Sequence, residues 1–525
     1  MRILGWYLIS WGLASSFLIS QEWKKIRADF EVRFESPSPQ KKVEAIHSLK
    51  PVLHKEILRL CFTLLEVPDQ KLISLERQQE RLLALWLAEK EKLSQLLLKN
   101  FATLPEKAME DFQKIDKELL KIEQEIAQYS LVPYAVKEVL ASLSEKNLQD
   151  TLLKEGLNHR NWRVQVAVLQ ALQKMTLPKE ILLPALLKLL HEEKSPTIRS
   201  SLCDTLASQQ IYEGLDVLYP LLEEKAWQVR LAVYAALGRL KHEKSIPLLI
   251  QQFEKEEGRF LQEIENALKS ITGVTFHLNA LLWQQWHQKN LSFTVPRPLD
   301  PKNLSPSNST DSSESTLLLT PKALQPVAKG TSYYGIHTLS KNLIFVLDVS
   351  GSMNEPATLK GKTAIYGSAG ETTKLEVAKS QLKQAILGLD ESAEFLISTY
   401  SDKVQWWSKK KMPAKKRNKE AALHFLETLK ADGATNIYDA LNSAFHLAGR
   451  GAFDKSYETS VDTIFFLTDG EPTTGPLIEP ELILNSVLEW NTLRKIQIHT
   501  IGVGEHNKSF MQRLAAQHQG QYVSD

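Results

Sequence analysis

Cysteine is nearly missing from this 525-residue chain: there are only two, Cys61 and Cys203. Two thiols cannot build a disulfide framework, so the fold must rest on buried apolar surface. Each lies in an apolar helical pattern, where a thiol behaves as a small hydrophobe. An excess of either charge is also lacking. The formal net charge is +2, which gives no global attraction to nucleic acid or to an anionic membrane. Apolar residues make up 43% of the chain, enough for folded cores, and the length implies several domains.

Behind Met1-Arg2, the stretch Ile3 to Ser20 contains no charge. A basic start, an apolar core and small residues from Ala14 to Ser20 read as a secretory signal peptide over residues 1–20. The stretch is also close to the minimum that spans a bilayer, so an uncleaved anchor is the rival reading. Lys24, Lys25 and Arg27 follow it and oppose translocation. The expectation is export to the periplasm, cell surface or medium, with membrane anchoring as the variant.

Residues 21–68 carry a helical pattern broken near Pro51 and read as a helical hairpin. Residues 69–130 read as two long charged helices folded back at Leu104-Pro105. In the second, Phe112, Ile115, Leu119, Ile122 and Ile126 step by three and four residues, the seam of a coiled coil. The charges flanking it are first of all a solvated face; a partner-docking arm is the lesser reading.

An internal repeat follows. Val164, Ile198, Val229 and Phe260 begin corresponding helices, and Leu172, Leu206, Leu237 and Leu268 stand eight residues after each. The steps are 34, 31 and 31 residues, with small residues at fixed places between and Arg163, Arg199 and Arg230 near the helix starts. Stacked helix pairs of this kind bury a continuous core. The pattern over residues 131–290 resembles bacterial HEAT-type repeats, which implies an α-solenoid with a surface for a second protein. Trp283 and Trp286 read as packing in the cap of the array.

Residues 291–332 change character. Pro296, Pro298, Pro301, Pro306 and the run Ser305 to Ser315 mark a flexible linker that cannot bury enough surface to fold. Asn303-Leu304-Ser305 and Asn308-Ser309-Thr310 fit glycosylation sequons, a match that such a composition also produces by chance.

Residues 333–525 alternate strands and helices, the pattern of a doubly wound, mainly parallel α/β sheet. Asn342 to Leu347 is apolar without alternation, as a buried parallel strand requires. Asp348, Ser350 and Ser352 crowd hard oxygen donors at its carboxyl end, where ligands of open α/β sheets bind. Such a partial oxygen shell suits a small hard cation. Two later segments add Thr435, in the glycine turn Gly433-Ala434-Thr435-Asn436, and Asp469, after the buried strand Thr463 to Leu467.

This region resembles the von Willebrand factor A domain. Asp348, Ser350, Ser352, Thr435 and Asp469 match the family's metal-ion-dependent adhesion site residue by residue. The resemblance implies a Rossmann-like domain holding Mg²⁺, with Mn²⁺ or Ca²⁺ as alternatives, whose open position takes an acidic side chain from a protein partner. It also admits a metal that merely ties loops together.

Gly361-Lys362-Thr363 matches the end of a P-loop, but Pro356 stands where the first glycine belongs, which excludes nucleotide binding. The basic run Lys409-Lys410-Lys411 to Lys415-Lys416-Arg417 has no interleaved aromatics and reads as a solvated loop, not a nucleic-acid surface. His424, His446 and His499 have no Ser or Cys partner at a recognisable elbow. The expectation is a non-enzymatic adhesion or assembly module on a helical scaffold. A metal-dependent hydrolase and an intracellular chaperone-like accessory of a large complex are the alternatives.

Overall fold

The computed structural model describes residues 22–295, except 53, 67–73, 194 and scattered positions from 76 to 105, together with 330–357, 372–448 and 459–524. The segment read as a signal or anchor, most of the first long arm, residues 296–329 of the linker with its sequons, and Gly361-Lys362-Thr363 lie outside the described residues. Among the described residues no helix is long and apolar enough to cross a membrane.

The amino-terminal part is helical. A helix over 22–34, not distinguished in the sequence, places Trp23 and Phe30 in the core. Pro39–His47 and Glu56–Glu66 follow on either side of the break at Pro51. Ser38 caps the former through its side chain, with Pro39 in the first turn, a local start signal that works as written. The long helix Glu106–Ser130 carries the predicted seam, and Leu119 and Ile126 are buried along it. Trp86 packs against Phe112 with the rings tilted and donates to Asp116 at 3.0 Å, while Leu75 packs on Ile126. The partners run in opposite directions, so the two arms are antiparallel.

The repeats stack as the periodicity predicts. Trp162–Leu172, Pro196–Ser208, Trp227–Leu240 and Arg259–Thr272 are the corresponding helices. Leu172, Leu206, Leu237 and Leu268 are fully buried in one continuous core. The spacing is close enough that a Cβ on Gly238 would lie 3.0 Å from the Cα of Ala267 in the next helix. Arginines fasten each loop to its neighbour. Arg199 pairs with Glu224 and donates to the Glu193 carbonyl; Arg230 pairs with Glu256 and donates to the Glu224 carbonyl at 2.8 Å. Trp283 is fully buried against Phe276 and Trp286, as cap packing.

The carboxyl-terminal domain opens two residues earlier than expected. β1 (Thr331–Tyr333) and β2 (Ile336–Thr338) form a small antiparallel hairpin. Its two-residue turn is Tyr334-Gly335, both at positive φ, the backbone twist that short hairpins favour. The main sheet contains β3 (Asn342–Asp348), β4 (Glu394–Tyr400), β5 (Val404–Trp406), β7 (Thr463–Thr468), β8 (Gln497–Gly502) and β9 (Tyr522–Ser524). Their order is β5-β4-β3-β7-β8-β9, and the short β6 (Met412–Pro413), within the basic run, pairs with β4. β3 is parallel to both β4 and β7. Both faces are covered: Ile344, Val346, Ile464 and Phe466 join one core, Phe345, Leu347, Phe465 and Leu467 the other. That explains the absence of polar alternation in these strands.

The domain is packed against the array, not merely tethered to it. Ala127 and Leu131 of the helical part belong to one core of the sheet domain. Arg259, at the start of the last repeat helix, is almost entirely buried. It donates to the carbonyls of Asp462 (2.8 Å) and Lys495 (2.6 Å) and to Gln519 (3.2 Å), and pairs with Glu263 at 3.1 Å. Lys495 pairs with Asp204 at 2.6 Å, Lys341 with Glu257 at 2.5 Å, and Lys137 with Glu489. Trp227 donates to the Thr459 carbonyl at 3.2 Å. Asp462 and Lys495 precede β7 and β8, so Arg259 grips the amino-end edge of the sheet. A second contact lies near the opposite edge, where Lys403, in the turn after β4, reaches Glu123 (3.4 Å) and Asp116 (3.8 Å) of the long helix.

Arg259→Met should leave Glu263 and two carbonyls without their buried donor. The expected cost is about 3 kcal/mol. Urea unfolding followed by tryptophan fluorescence should then separate into two transitions; one unchanged transition would show that the junction does not depend on this residue.

Candidate metal centre

β3 has β4 on one side and β7 on the other, and the chain leaves it toward β4 before returning to β7. The strand order therefore reverses at β3, and a crevice opens beyond the carboxyl ends of β3 and β7. Asp348 ends β3, and Ser350 and Ser352 follow in a short turn. Asp469 directly follows β7. Thr435 stands just before the helix Ile437–Ala448.

Four of these residues, Asp348, Ser350, Thr435 and Asp469, are buried, and Ser352 is half-buried. The Ser350 and Ser352 hydroxyls are 3.2 Å apart, and Ser352 donates to Asp469 Oδ1 at 2.8 Å. Thr435 reaches the same place: its hydroxyl lies 4.0 Å from where a Cβ on Gly470 would stand. Its backbone exchanges hydrogen bonds with Thr473, both at 2.9 Å, so the loop after β7 wraps it. Residues separated by up to 121 positions thus meet at one edge of the sheet.

Close loop packing makes this possible. Gly351 N–H donates to the Gly433 carbonyl at 2.9 Å, and a Cβ on Gly351 would sit 3.3 Å from that oxygen. Gly433 has φ +83°, and a Cβ there would meet Asp402 at 2.1 Å. Only glycine fits both demands. Asp402 in turn receives the Ala434 N–H at 3.2 Å, and the Ser401 carbonyl receives that of Asn436 at 3.0 Å. The turn after β4 therefore carries the Thr435 loop.

Asp348 is fully buried, and its charge is held by neutral donors. Ser350 N–H donates to Oδ1 at 2.8 Å; Thr468 Oγ1 and Tyr400 OH donate to Oδ2 at 2.7 and 3.2 Å. Burial pushes its carboxyl up to about 6, against those hydrogen bonds. Asp469 is different: its Oδ2 receives Lys374 Nζ at 2.9 Å. Lys374 begins the helix Lys374–Gly388 and also pairs with Glu355 at 2.6 Å. Burial works against its charge, but the bonds to Glu355 and Asp469 outweigh it and hold the ammonium above its ordinary value.

Lys374, Thr468, Tyr400 and Thr473 were not singled out in the sequence. Thr468 and Tyr400 carried a usable signal, since both are polar ends of apolar strands. Lys374 carried none, because it reads as an exposed charge on an amphipathic helix.

The donor set fits a small hard dication. An octahedral Mg²⁺ with bonds of 2.0–2.1 Å sets neighbouring ligand oxygens about 2.9 Å apart. The 3.2 and 2.8 Å separations among Ser350, Ser352 and Asp469 bracket that figure. Ser350, Ser352, Thr435 and Asp469 could hold such an ion, with Asp348 fixing the loop behind them. Among the described residues no group of three or more His, Cys, Asp or Glu side chains forms a softer or more acidic site.

The family model described as von Willebrand factor type A domain matches residues 341–524. The carboxyl-terminal domain is a von Willebrand factor type A domain. The HEAT-repeat model matches residues 183–269 of the array. Curated relatives include inter-alpha-trypsin inhibitor heavy chain H4 of Homo sapiens, 25% identical over 335 residues, covering 60% of this chain and 33% of that one. The Mus musculus inter alpha-trypsin inhibitor heavy chain 4 is 29% identical over 185 residues, 35% of this chain and 18% of the relative. The chain thus spans a third or less of the length of these two relatives. Among solved structures, the chain is similar to a von Willebrand factor type A protein from Catenulispora acidiphila (19% identity, 36% of this chain, 39% of that chain, TM-score 0.28). It is also similar to the PilB minor pilin of Streptococcus sanguinis (14% identity, 38% and 59%, TM-score 0.26).

Asp348 provides a pH test of the A domain. Its raised folded value means that its stabilising contribution is complete below about pH 4 and is lost as pH rises through about 6. At neutral pH the buried charge therefore works against the fold. Asp348→Asn should raise the melting temperature in chelator at neutral pH and leave it unchanged near pH 4; scanning calorimetry at both values checks this.

Proposed function

We propose that the chain is a non-enzymatic protein-binding module of adhesion or assembly, in which Mg²⁺ held by the A domain is completed by a carboxylate of a partner protein. The observation that carries this reading is the convergence of Ser350, Ser352, Thr435 and Asp469 beside the buried Asp348 at the switch point of the sheet. Bound there, the cation would supply a Lewis-acidic position for an anionic side chain. Mn²⁺ or Ca²⁺ are the alternative ions.

The state of the two carboxylates favours binding over hydrolysis. A general base needs an oxygen free to take a proton. Both oxygens of Asp348 accept hydrogen bonds, Asp469 Oδ2 is paired with Lys374, and Asp469 Oδ1, beside Ser352, would be committed to the cation. A partner carboxylate asks less of the site: it must exclude water around one charge-assisted contact.

The HEAT-like array already has one partner, the A domain of its own chain, so a second protein would use the faces that this docking leaves open. Export, with cleavage or anchoring at residues 1–20, remains part of the proposal on the strength of that segment's sequence.

Ser350→Ala combined with Ser352→Ala should abolish Mg²⁺ binding in calorimetry while circular dichroism shows the sheet retained. Unchanged affinity would sink the metal reading. A pull-down from the native source should yield partners that chelator or Asp469→Ala releases; capture insensitive to both would place binding elsewhere on the chain.

A further inference from the structure

The Lys374 ammonium borders the oxygen cluster, 2.9 Å from Asp469 Oδ2, and pairs on its other side with Glu355 at 2.6 Å. It is buried there, and its stem fills the space beside Gly504, where a Cβ would lie 2.8 Å from Lys374 Cε. Its backbone is fixed too: Lys374 N–H donates to the Glu355 carbonyl at 2.9 Å, beside the bridge between Pro356 and Thr373. The ammonium is therefore built into the site and is not a chance contact of a surface chain.

We infer that Lys374 is a specificity-determining residue that selects Mg²⁺ over Ca²⁺ by reserving one oxygen of Asp469. The inference rests on the metal reading above. With Oδ2 held by the ammonium, Asp469 can offer a cation only Oδ1, the oxygen that also faces Ser352. Asp348 is equally restricted, because both its oxygens already accept hydrogen bonds. Mg²⁺ takes six ligands and keeps several waters, so single-oxygen carboxylates suit it. Ca²⁺ takes six to eight and gains from carboxylates that give both oxygens. A fixed positive charge beside the ligands also lowers affinity for any dication, and to the same degree for two ions of equal charge. The ratio of the two affinities therefore isolates the effect on ligand number from the effect of charge.

The test titrates the full chain with MgCl₂ and with CaCl₂ in a calorimeter, for wild type, Lys374→Met and Lys374→Arg. Lys374→Gln stands in if the methionine variant does not fold. Both affinities should rise in K374M, and that for Ca²⁺ should rise about tenfold more than that for Mg²⁺. K374R, which retains a donor to Asp469, should keep the wild-type ratio. If wild type binds both ions and K374M keeps the same ratio, or binds both more weakly, the inference is overturned and the metal reading stands. If no form binds either ion, the metal reading fails and takes this inference with it. Binding by K374M alone would also overturn the inference, because a wild-type site that admits neither ion selects neither.

Discussion

One buried carboxylate ties the sheet together at its carboxyl edge. Asp348 belongs to β3, yet its oxygens receive Thr468 at the end of β7 and Tyr400 at the end of β4. The three central strands are thus pinned at their tips by a charge with no water around it. The cost is visible in the raised value of the carboxyl, which burial alone would push further than its hydrogen bonds allow. The hydrogen bonds to its two oxygens, from Ser350 on one and from Thr468 and Tyr400 on the other, give the loops bearing Ser350, Ser352 and Asp469 a common origin.

A second buried carboxylate does the corresponding work at the other edge. Asp462, just before β7, accepts hydrogen bonds from Ser340 and Thr463, while its carbonyl accepts from Arg259 of the array. Arg259 continues a series. Arg199 and Arg230 each fasten one repeat to the loop that follows, and Arg259 meets the A domain in place of a further repeat. The solenoid ends by treating the sheet domain as its next layer. Stacked repeats need a cap over their last apolar face. Here that capping is shared between Trp283 with its aromatic neighbours and the A domain itself.

Much of this was legible in the chain because local physics decides it. Unalternating strands announced a sheet covered on both faces, and Asp348, Ser350 and Ser352 announced the oxygen cluster at the carboxyl end of β3. The repeated leucines at 172, 206, 237 and 268 marked the core of the array. What stayed hidden depends on pairings that no local pattern encodes. Arg259 looks like its repeat counterparts, but its partners lie 203 and 236 positions away. Lys374 looks solvated until Asp469 and Gly504 close around it. The hairpin at Tyr334-Gly335 was concealed for another reason. Its strands are three residues each, too short for alternation to stand out, and its turn begins with a tyrosine instead of the usual Asn or Asp.

The docked junction has a consequence for avidity. A domain on a loose tether samples many orientations, and a second contact made by such a chain must first pay for restricting them. Here Arg259 at one edge and Lys403 at the other fix the direction in which the sheet's carboxyl edge faces. A partner large enough to touch both the array and that edge would find the two at a set distance and angle. Partners of the wrong span would be refused by geometry alone, before any side chain is read.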